Sequence, residues 1–495
     1  MHVFRNNRIL YFKIILILLF HFSTSCIIAQ DRQSMISVNK DSVTVSVNKS
    51  YAKASFLRKI LMGKNYRKEW AVPVKMPIFK IAEFGFKPTE MGGGQQTTSL
   101  QMTDKDGRAW VLRSVDKKVK PVALPKPMRF SLAVNFLQEM VSASHPYAAL
   151  PIGYMATAAR VIAPRPVLYF VPDDPNLGKF RPLIKNTVCF LEQKEPTPDD
   201  SETENTDKVM EEIIEENDHL ILQEQVLKAR LLDMLVADWD RHADQWRWGS
   251  YKFRGDNYYY AIPRDRDQAF FQSNGWLPLF IRIFGAKHIN NFRKESDRLK
   301  NLNFKSWSFD KTFLNELDAS AWQKTIQQFQ ASLSDSVIEA AVKNLPHEVY
   351  AIGGDALTKK LINRRNTLPG NAMKYYNFIS GTVHVLGTDE EELFEVRGAG
   401  DSLNVSVYRF KNEQKGKLIY ERRFLKRETS LVSLAGLNGS DKFLMAKDAA
   451  STIRLQITGG SGNNVYDLGG NIRTSVQDKK PGDRFLNKGS GITLK

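Results

Sequence analysis

The 495-residue chain reads as α+β, with a two-lobed domain followed by a small all-β domain. Three observations predict this. Strand-like segments alternate with turns over residues 76–191. Apolar spacing of helical period fills residues 219–370 around one central hairpin. From residue 375 to 495, short strands recur between glycine turns. A hydrophobic fraction of 42% suits packed cores rather than disorder.

The N-terminus comes first. Arg5, Arg8 and Lys13 flank the apolar run Ile14 to Phe22, and Ile27-Ile-Ala29 precedes a cut before Gln30. Residues 1–29 therefore read as a cleaved signal peptide, and the expected home is the bacterial periplasm or the exterior. A membrane anchor is the alternative, but the run is short for a span. Cys26 as a lipoprotein cysteine is another, but Ser-Thr-Ser before it lacks the usual leucine. Losing residues 1–29 lowers the net charge from +17 to +14. Such a basic surface suits nucleic acid, anionic lipid or phosphate-bearing ligands, and equally a plain solvated surface. No nucleic-acid module is visible, so no nucleic acid is expected. Only Cys189 remains, which excludes an internal disulfide and a cysteine metal site. No later stretch of the mature chain reads as a transmembrane helix.

Residues 30–75 read as a polar tether or a single strand. In 76–191, the small lobe, Pro77 to Phe86 is β-like, and Met91 to Leu100 is a glycine-rich turn entering a strand. Asp104-Lys-Asp-Gly107 is a hairpin turn, and Arg108 to Val115 is the return strand. Phe130 to Ser144 has helical spacing, with Phe130, Val134, Leu137 and Val141 on one face. Val167 to Val171 and Val188 to Leu191 are short strands. Residues 192–218 are acidic and read as a linker. In 219–370, the large lobe, Leu227 to Val236 is an apolar helical run. Tyr258 to Ile262 is a strand entered through the turn Arg254-Gly-Asp-Asn257. In 375–495, Gly387 to Phe394, Gly436 to Phe443 and Gly460 to Tyr466 share a pattern of glycine, polar turn and aromatic. Their carboxylates and amides could hold Ca²⁺, although hairpin turns use the same residues.

The residues that speak to chemistry lie in two acidic motifs on either side of the central hairpin: Asp240-Arg-His-Ala-Asp-Gln245 and Arg264-Asp-Arg-Asp267. Phosphoryl transfer needs a backbone cradle for phosphates, a cation paired with them, carboxylates for a metal, and a carboxylate for the attacking hydroxyl. Candidates occur in that order. Gly92, Gly93 and Gly94, with Thr97, Thr98 and Ser99, form the cradle; a ligand-free glycine hairpin reads the same way. Arg113 on the return strand is the phosphate-pairing cation, with Lys117 as substitute, and Glu139 on the following helix is its partner. Asp240 is the catalytic carboxylate. Asp265, Asp267 and Gln245 are the metal ligands. The bland alternative is a salt-bridged acidic turn neutralised by Arg241, Arg264 and Arg266.

Ile262-Pro-Arg-Asp-Arg-Asp-Gln-Ala-Phe270 resembles the Pro-Trp-Asp-x-Asp-x-x-Phe motif of CotH-type spore-coat kinases. Asp240-Arg-His-Ala-Asp-Gln245 resembles loops of secretory-pathway casein kinases and HipA-type kinases. The resemblance spans residues 76–370. It implies an atypical kinase-like fold, ATP with Mg²⁺ or Mn²⁺, and a protein or small hydroxylated acceptor. Arg264 stands where the motif has tryptophan, Gln245 where it has asparagine or an acid, and Arg113 where it has lysine. The order of the parts is also similar to the periplasmic portion of some large Bacteroidetes outer-membrane proteins, which implies an envelope or outer-membrane partner. A noncatalytic envelope module is the competing reading. A carbohydrate or envelope adhesin led by the C-terminal domain is a third, weighed against by Phe394, Phe443 and Tyr466, which read as core.

Overall fold

Hairpin chemistry organises the small lobe. A computed structural model of the chain describes residues 38–39, 42–93, 96–123, 126, 129–285, 287–477 and 480–495; the expected signal peptide and Gly94 lie outside them. Five antiparallel strands run in the order Lys87–Gly92, Ser99–Thr103, Ala109–Ser114, Thr187–Gln193 and Val167–Val171. Gly107, at φ +82°, closes the turn after Asp104. The first of these strands follows a turn at residues 81–85, so the β-like reading of Pro77 to Phe86 holds only to Pro77, the end of a separate strand, Val74–Pro77. Val134 and Leu137 of the helix Ser131–Met140 pack on the core together with Val141, whereas Phe130 is exposed as its N-cap.

Residues 30–75 are more than a tether where they are described. The strand Ser42–Val45 pairs with Val74–Pro77, and the helices Phe56–Met62 and Arg67–Ala71 follow. Buried Tyr51 and Trp70 anchor this segment. Residues 192–218 are likewise structured. Glu192 lies in a sheet strand, and Asn205 caps the helix Thr206–Glu215 by accepting from the Lys208 N–H. The sequence reading went astray because the helix's acidic outer face masks Val209, which is fully buried.

The large lobe is built around the helix Gln223–Val236. Every residue from Val226 to Val236 except Lys228 is buried, so this helix is surrounded rather than amphipathic. The helices Ala319–Ser332 and His347–Ile379 and the hairpin Trp246–Phe253/Asp256–Pro263 pack on it. The hairpin turns through Arg254 (φ 52°) and Gly255 (φ 87°), a primed turn suited to strand twist. Trp246 stacks on Phe309 at 4.7 Å between ring centroids.

The C-terminal region is all β, but its strands are mostly parallel. Glu392–Gly400, Lys442–Met445, Val465–Leu468 and Arg484–Lys488 lie side by side in register, as do Thr382–Leu386, Leu431–Ala435, Ala450–Thr458, Asn471–Gln477 and Ile492–Leu494. The polypeptide winds as a solenoid, each turn buried only by its neighbours. Phe394, Phe443, Tyr466 and Phe485 stack through it at centroid spacings of 4.7, 5.4 and 4.6 Å. Gly460 (φ +82°) is required by contact, since a Cβ there would stand 1.9 Å from the Leu437 carbonyl oxygen. One antiparallel hairpin, Ser402–Lys411/Gln414–Leu425, leaves the solenoid and fastens it to the large lobe. There Arg409 pairs with Asp256 at 2.6 Å, and Tyr420 donates to the Asn315 carbonyl.

Candidate functional site

The left-handed C-cap Ala237 (φ 54°) ends the central helix and turns the chain sharply, leading Asp238-Trp-Asp240 toward the end of the hairpin. The two acidic motifs then join through backbone: the Arg264 N–H donates to the Gln245 carbonyl at 2.9 Å. Arg241 closes the junction, donating to the carbonyls of Gln245 (3.1 Å) and Arg264. Asp265 follows in left-handed backbone (φ 53°). Gln245 and Asp265 are thus held at one end of one hairpin by covalent and hydrogen-bond geometry.

The small lobe meets that end through cations. Arg113 lies 3.6 Å from Asp265 and 3.3 Å from Glu192. Lys117, buried, pairs with Asp267. Sheet register places Gly92 opposite Ser99 and Ser99 opposite Arg113, so the glycine turn and the Arg113–Asp265 pair belong to one transverse row. The Lys118 N–H donates to the Gln96 carbonyl and the Ser114 N–H to the Thr98 carbonyl, which binds the far limb of the turn to the Lys117 segment. A Cβ on Gly93 (φ +112°) would meet the Thr97 carbonyl oxygen at 2.4 Å.

Two predicted relationships change. Glu139 does not serve Arg113 or Lys117; it pairs with Arg58 and, at 2.9 Å, with Arg67. Its neighbour Gln138 faces the site side, donating to the Lys117 carbonyl and accepting from the Val119 N–H. The arginines expected as neutralisers are also turned away. Arg241 and Arg266 both bond the buried Asp233, with Nε at 3.2 and 2.9 Å, and Arg264 donates to the Lys194 carbonyl at 2.7 Å. Asp233 also takes Arg230 at 2.8 Å. Three guanidiniums on one buried carboxylate anchor both motifs to the lobe, and Asp240 instead pairs with Lys305.

The carboxyl environments diverge. Burial pushes Asp265 up, but Arg113, then Lys117, Arg241 and Arg264, outweigh it and hold the group below its ordinary value. Burial raises Asp267 despite Lys117, with Asp265 and Asp240 adding to the rise. Asp238, absent from the predicted set, is pushed up to about 7 by burial, which Arg241 opposes and Asp233 and Asp267 reinforce. Three carboxyls, Asp238, Asp265 and Asp267, thus separate in proton affinity and can divide metal-binding and proton-handling roles.

Sequence reasoning missed Lys305, Asp233 and Asp238. Asp233 lies in the apolar helical run and Asp238 just after it, two residues before the quoted motif, and burial at the end of an apolar helix was their signal. Lys305 has no local signal. A cleft of roughly 720 Å³ lined by Gln223, Lys228, Glu316, Asp318, Arg422 and Arg423 lies elsewhere, between the large lobe and the solenoid hairpin, and holds none of the predicted residues.

The fit to a divalent ion can be tested on the donors present. Among the described residues no three or more His, Cys, Asp or Glu side chains form a ready metal cage. Mg²⁺ asks for less, namely one or two carboxylates completed by phosphate oxygens and water. Asp265 and Asp267 supply the carboxylates, and the Gln245 Oε1 is buried without a partner. These residues fit. The solenoid turns do not fit Ca²⁺. Asp441 accepts from the Glu392 N–H, Asn464 from the Asp441 N–H and Asp483 from the Asn464 N–H. Burial also raises Asp441 to about 9.

No family model matches the chain, and no curated protein matches it. The CotH-type, casein-kinase and HipA-type resemblances therefore rest on the quoted motifs alone. Among solved structures, a proinflammatory kinase of Helicobacter pylori, CtkA, is similar over 60% of this chain and 99% of its own, at 11% identity and a TM-score of 0.33. The Rio2 kinase of Chaetomium thermophilum, solved as an ADP/Mg²⁺-phosphoaspartate complex, is similar over 60% of this chain and 82% of its own, at 11% identity and a TM-score of 0.26. Overlaps this low establish neither a common fold nor an activity, so what the site can do follows from its own residues.

Proposed function

We propose that this chain is an exported, kinase-like phosphotransferase that uses ATP and Mg²⁺ or Mn²⁺ on a hydroxyl acceptor. One observation carries the reading: Arg113 and Lys117, from the strand side beside the glycine turn, meet Asp265 and Asp267, from the acidic loop, in two parallel ion pairs. A structural salt bridge needs one pair. Two, aligned with a glycine cradle and a buried unpartnered amide oxygen, match the division of labour in phosphate handling.

In this reading Gly92, Gly93 and the hydroxyls of Thr97 and Ser99 receive phosphates, and Arg113 and Lys117 neutralise them. Asp265, Asp267 and Gln245 would hold the metal ion, which when bound neutralises charge on the transferring phosphoryl group. Asp240 orients the acceptor hydroxyl and takes its proton; Lys305 keeps that carboxylate in place. Ligand entry moves Arg113 and Lys117 from the carboxylates to the phosphates. Residues 1–29 direct export, and the acceptor is an envelope protein or a small hydroxylated compound.

A second reading is favoured by a specific observation. Asp240, Asp265 and Asp267 each already hold a cation, and Glu139 is committed to Arg58 and Arg67. A noncatalytic envelope module of the same fold satisfies that arrangement without a ligand.

The test is transfer of label from γ-labelled ATP with Mn²⁺, to the chain itself and to an envelope extract. Label incorporated by the parent and abolished in Asp240→Asn supports the enzyme. No label from the parent, with nucleotide binding intact, supports the noncatalytic module.

A further inference from the structure

Two short helices far apart in sequence meet on the surface and leave their apolar sides uncovered. Phe56–Met62 ends at Gly63, and Trp276–Phe284 begins at Gly275. The backbones touch there: a Cβ on Gly275 would stand 2.4 Å from the Leu61 carbonyl oxygen and 2.6 Å from the Gly63 nitrogen. Phe56 is 80% exposed and Trp276 71%, and Leu57, Ile60, Leu279 and Ile283 are exposed beside them. Six large apolar side chains on two joined helices are more than the scattered surface hydrophobes every protein carries.

The exposed charge on the two segments is basic. Residues 54–68 contain Arg58, Lys59, Lys64, Arg67 and Lys68 and no acid, and residues 268–294 contain Arg282, Lys287, Arg293 and Lys294 and no acid. Lys59, Lys64, Lys68, Lys287 and Lys294 are exposed. Acids do approach: Glu139 pairs with Arg58 and Arg67, Glu69 follows Lys68 in the chain, and Asp297 lies 3.5 Å from Arg293 and 3.7 Å from Arg298. Burial, then the neighbouring Arg298 and Arg293, depress Arg282 below its ordinary value, as guanidiniums do when crowded.

We propose that the joined helices Phe56–Met62 and Trp276–Phe284 form a membrane-surface face that seats on anionic lipid. An exposed tryptophan and phenylalanine among aliphatic residues, rimmed by exposed lysines, is the pattern of interfacial rather than spanning association. Anionic headgroups answer the lysine rim, whereas a protein partner of mixed surface charge leaves it unanswered. No described helix is long and apolar enough to cross a membrane, so the contact is peripheral. The second helix stands on an excursion closed at its base by the Phe292 N–H donating to the Phe271 carbonyl at 2.6 Å. That base follows Asp267 directly in the chain, so lipid contact and the candidate site share a segment.

Vesicle flotation of the full chain tests this, with equal parts phosphatidylglycerol and phosphatidylcholine in one arm and phosphatidylcholine alone in the other. The parent should float with the anionic vesicles. Trp276→Glu/Ile283→Glu should lose that binding, and Lys59→Glu/Lys64→Glu should weaken it about tenfold or more, both with unchanged melting. Binding undiminished in both variants, as expected if residues 1–29 carried it, overturns the proposal. So does absence of binding by the parent, including the case where the patch instead joins two copies of the chain in light scattering.

Discussion

The candidate site and the solenoid both crowd acidic side chains into turns, and they satisfy them in different ways. In the solenoid, each turn's Asp or Asn accepts from the backbone N–H of the corresponding position one coil back, so the acids become struts. In the site, Asp240, Asp265 and Asp267 meet lysine and arginine side chains, and the Asp238 Oδ2 and Gln245 Oε1 are buried without partners. A carboxylate tied to backbone has nowhere else to go. One tied to lysine or arginine can exchange that partner for a metal ion or release it to a phosphate. The same residue types are thus tied to backbone in one region and to exchangeable side-chain cations in the other.

The largest break in that comparison comes from Asp233, which belongs to neither class: it is buried and holds Arg230, Arg241 and Arg266. Asp233→Ala takes a carboxylate from three buried guanidiniums in the large lobe, of which only Arg230 keeps another, Asp310 at 2.7 Å. A loss of about 3–5 kcal/mol is expected in denaturant unfolding followed on the large-lobe tryptophans. A cost under about 1 kcal/mol, the range of exposed pairs, would show that the anchor is dispensable.

Gly460→Ala probes the solenoid's close packing. The new Cβ meets the Leu437 carbonyl at φ +82°, and a loss of about 2 kcal/mol is expected. Unchanged stability would mean the coils have room to part.

Asp441→Asn sharpens the contrast from the other side, because it keeps the acceptor for the Glu392 N–H and copies Asn464 one coil on. The folded value of about 9 lies above the unfolded aspartate value of about 3.9. The folded chain therefore keeps a proton that the unfolded chain has released, and stability falls as pH rises between those values. The variant should be more stable than the parent by more than about 1 kcal/mol at pH 8, with the advantage vanishing toward pH 4. Equal pH profiles in parent and variant would remove the strut from its buried setting.

Lys117→Met has the smallest expected effect on stability and a specific one on binding. It removes one cation from Asp267, and melting should shift by no more than a few degrees, about 1 kcal/mol. Nucleotide-dependent stabilisation should disappear. If nucleotide binding survives, Arg113 alone supplies the charge.

Much of the site was legible because its parts are local. Asp240, Gln245, Asp265 and Asp267 are fixed by a helix end and a hairpin, both of which have short-range signatures. Glu139 was misassigned by one residue: on a helix a single step rotates a side chain by about 100°, and Gln138 takes the facing position. Lys305 is 65 residues from Asp240, and nothing local marks it. The solenoid was readable as strands but not as parallel ones, because Phe443 and Tyr466 meet through register between coils, which alternation within a strand does not encode. The expected linker at 192–218 failed for a similar reason, since Glu192 is placed by pairing with Val111 and by its ion pair with Arg113 on a distant strand.

The central claim is that the paired charges at Asp265 and Asp267 are a nucleotide–metal site. Thermal unfolding of the parent and of Asp265→Ala, each with and without ATP and Mn²⁺, tests it directly. A site filled at about a hundred times its dissociation constant should stabilise the parent by about 2.7 kcal/mol, and the variant should show no ligand-dependent change. No shift in the parent at millimolar nucleotide, or an equal shift in both proteins, would contradict the account.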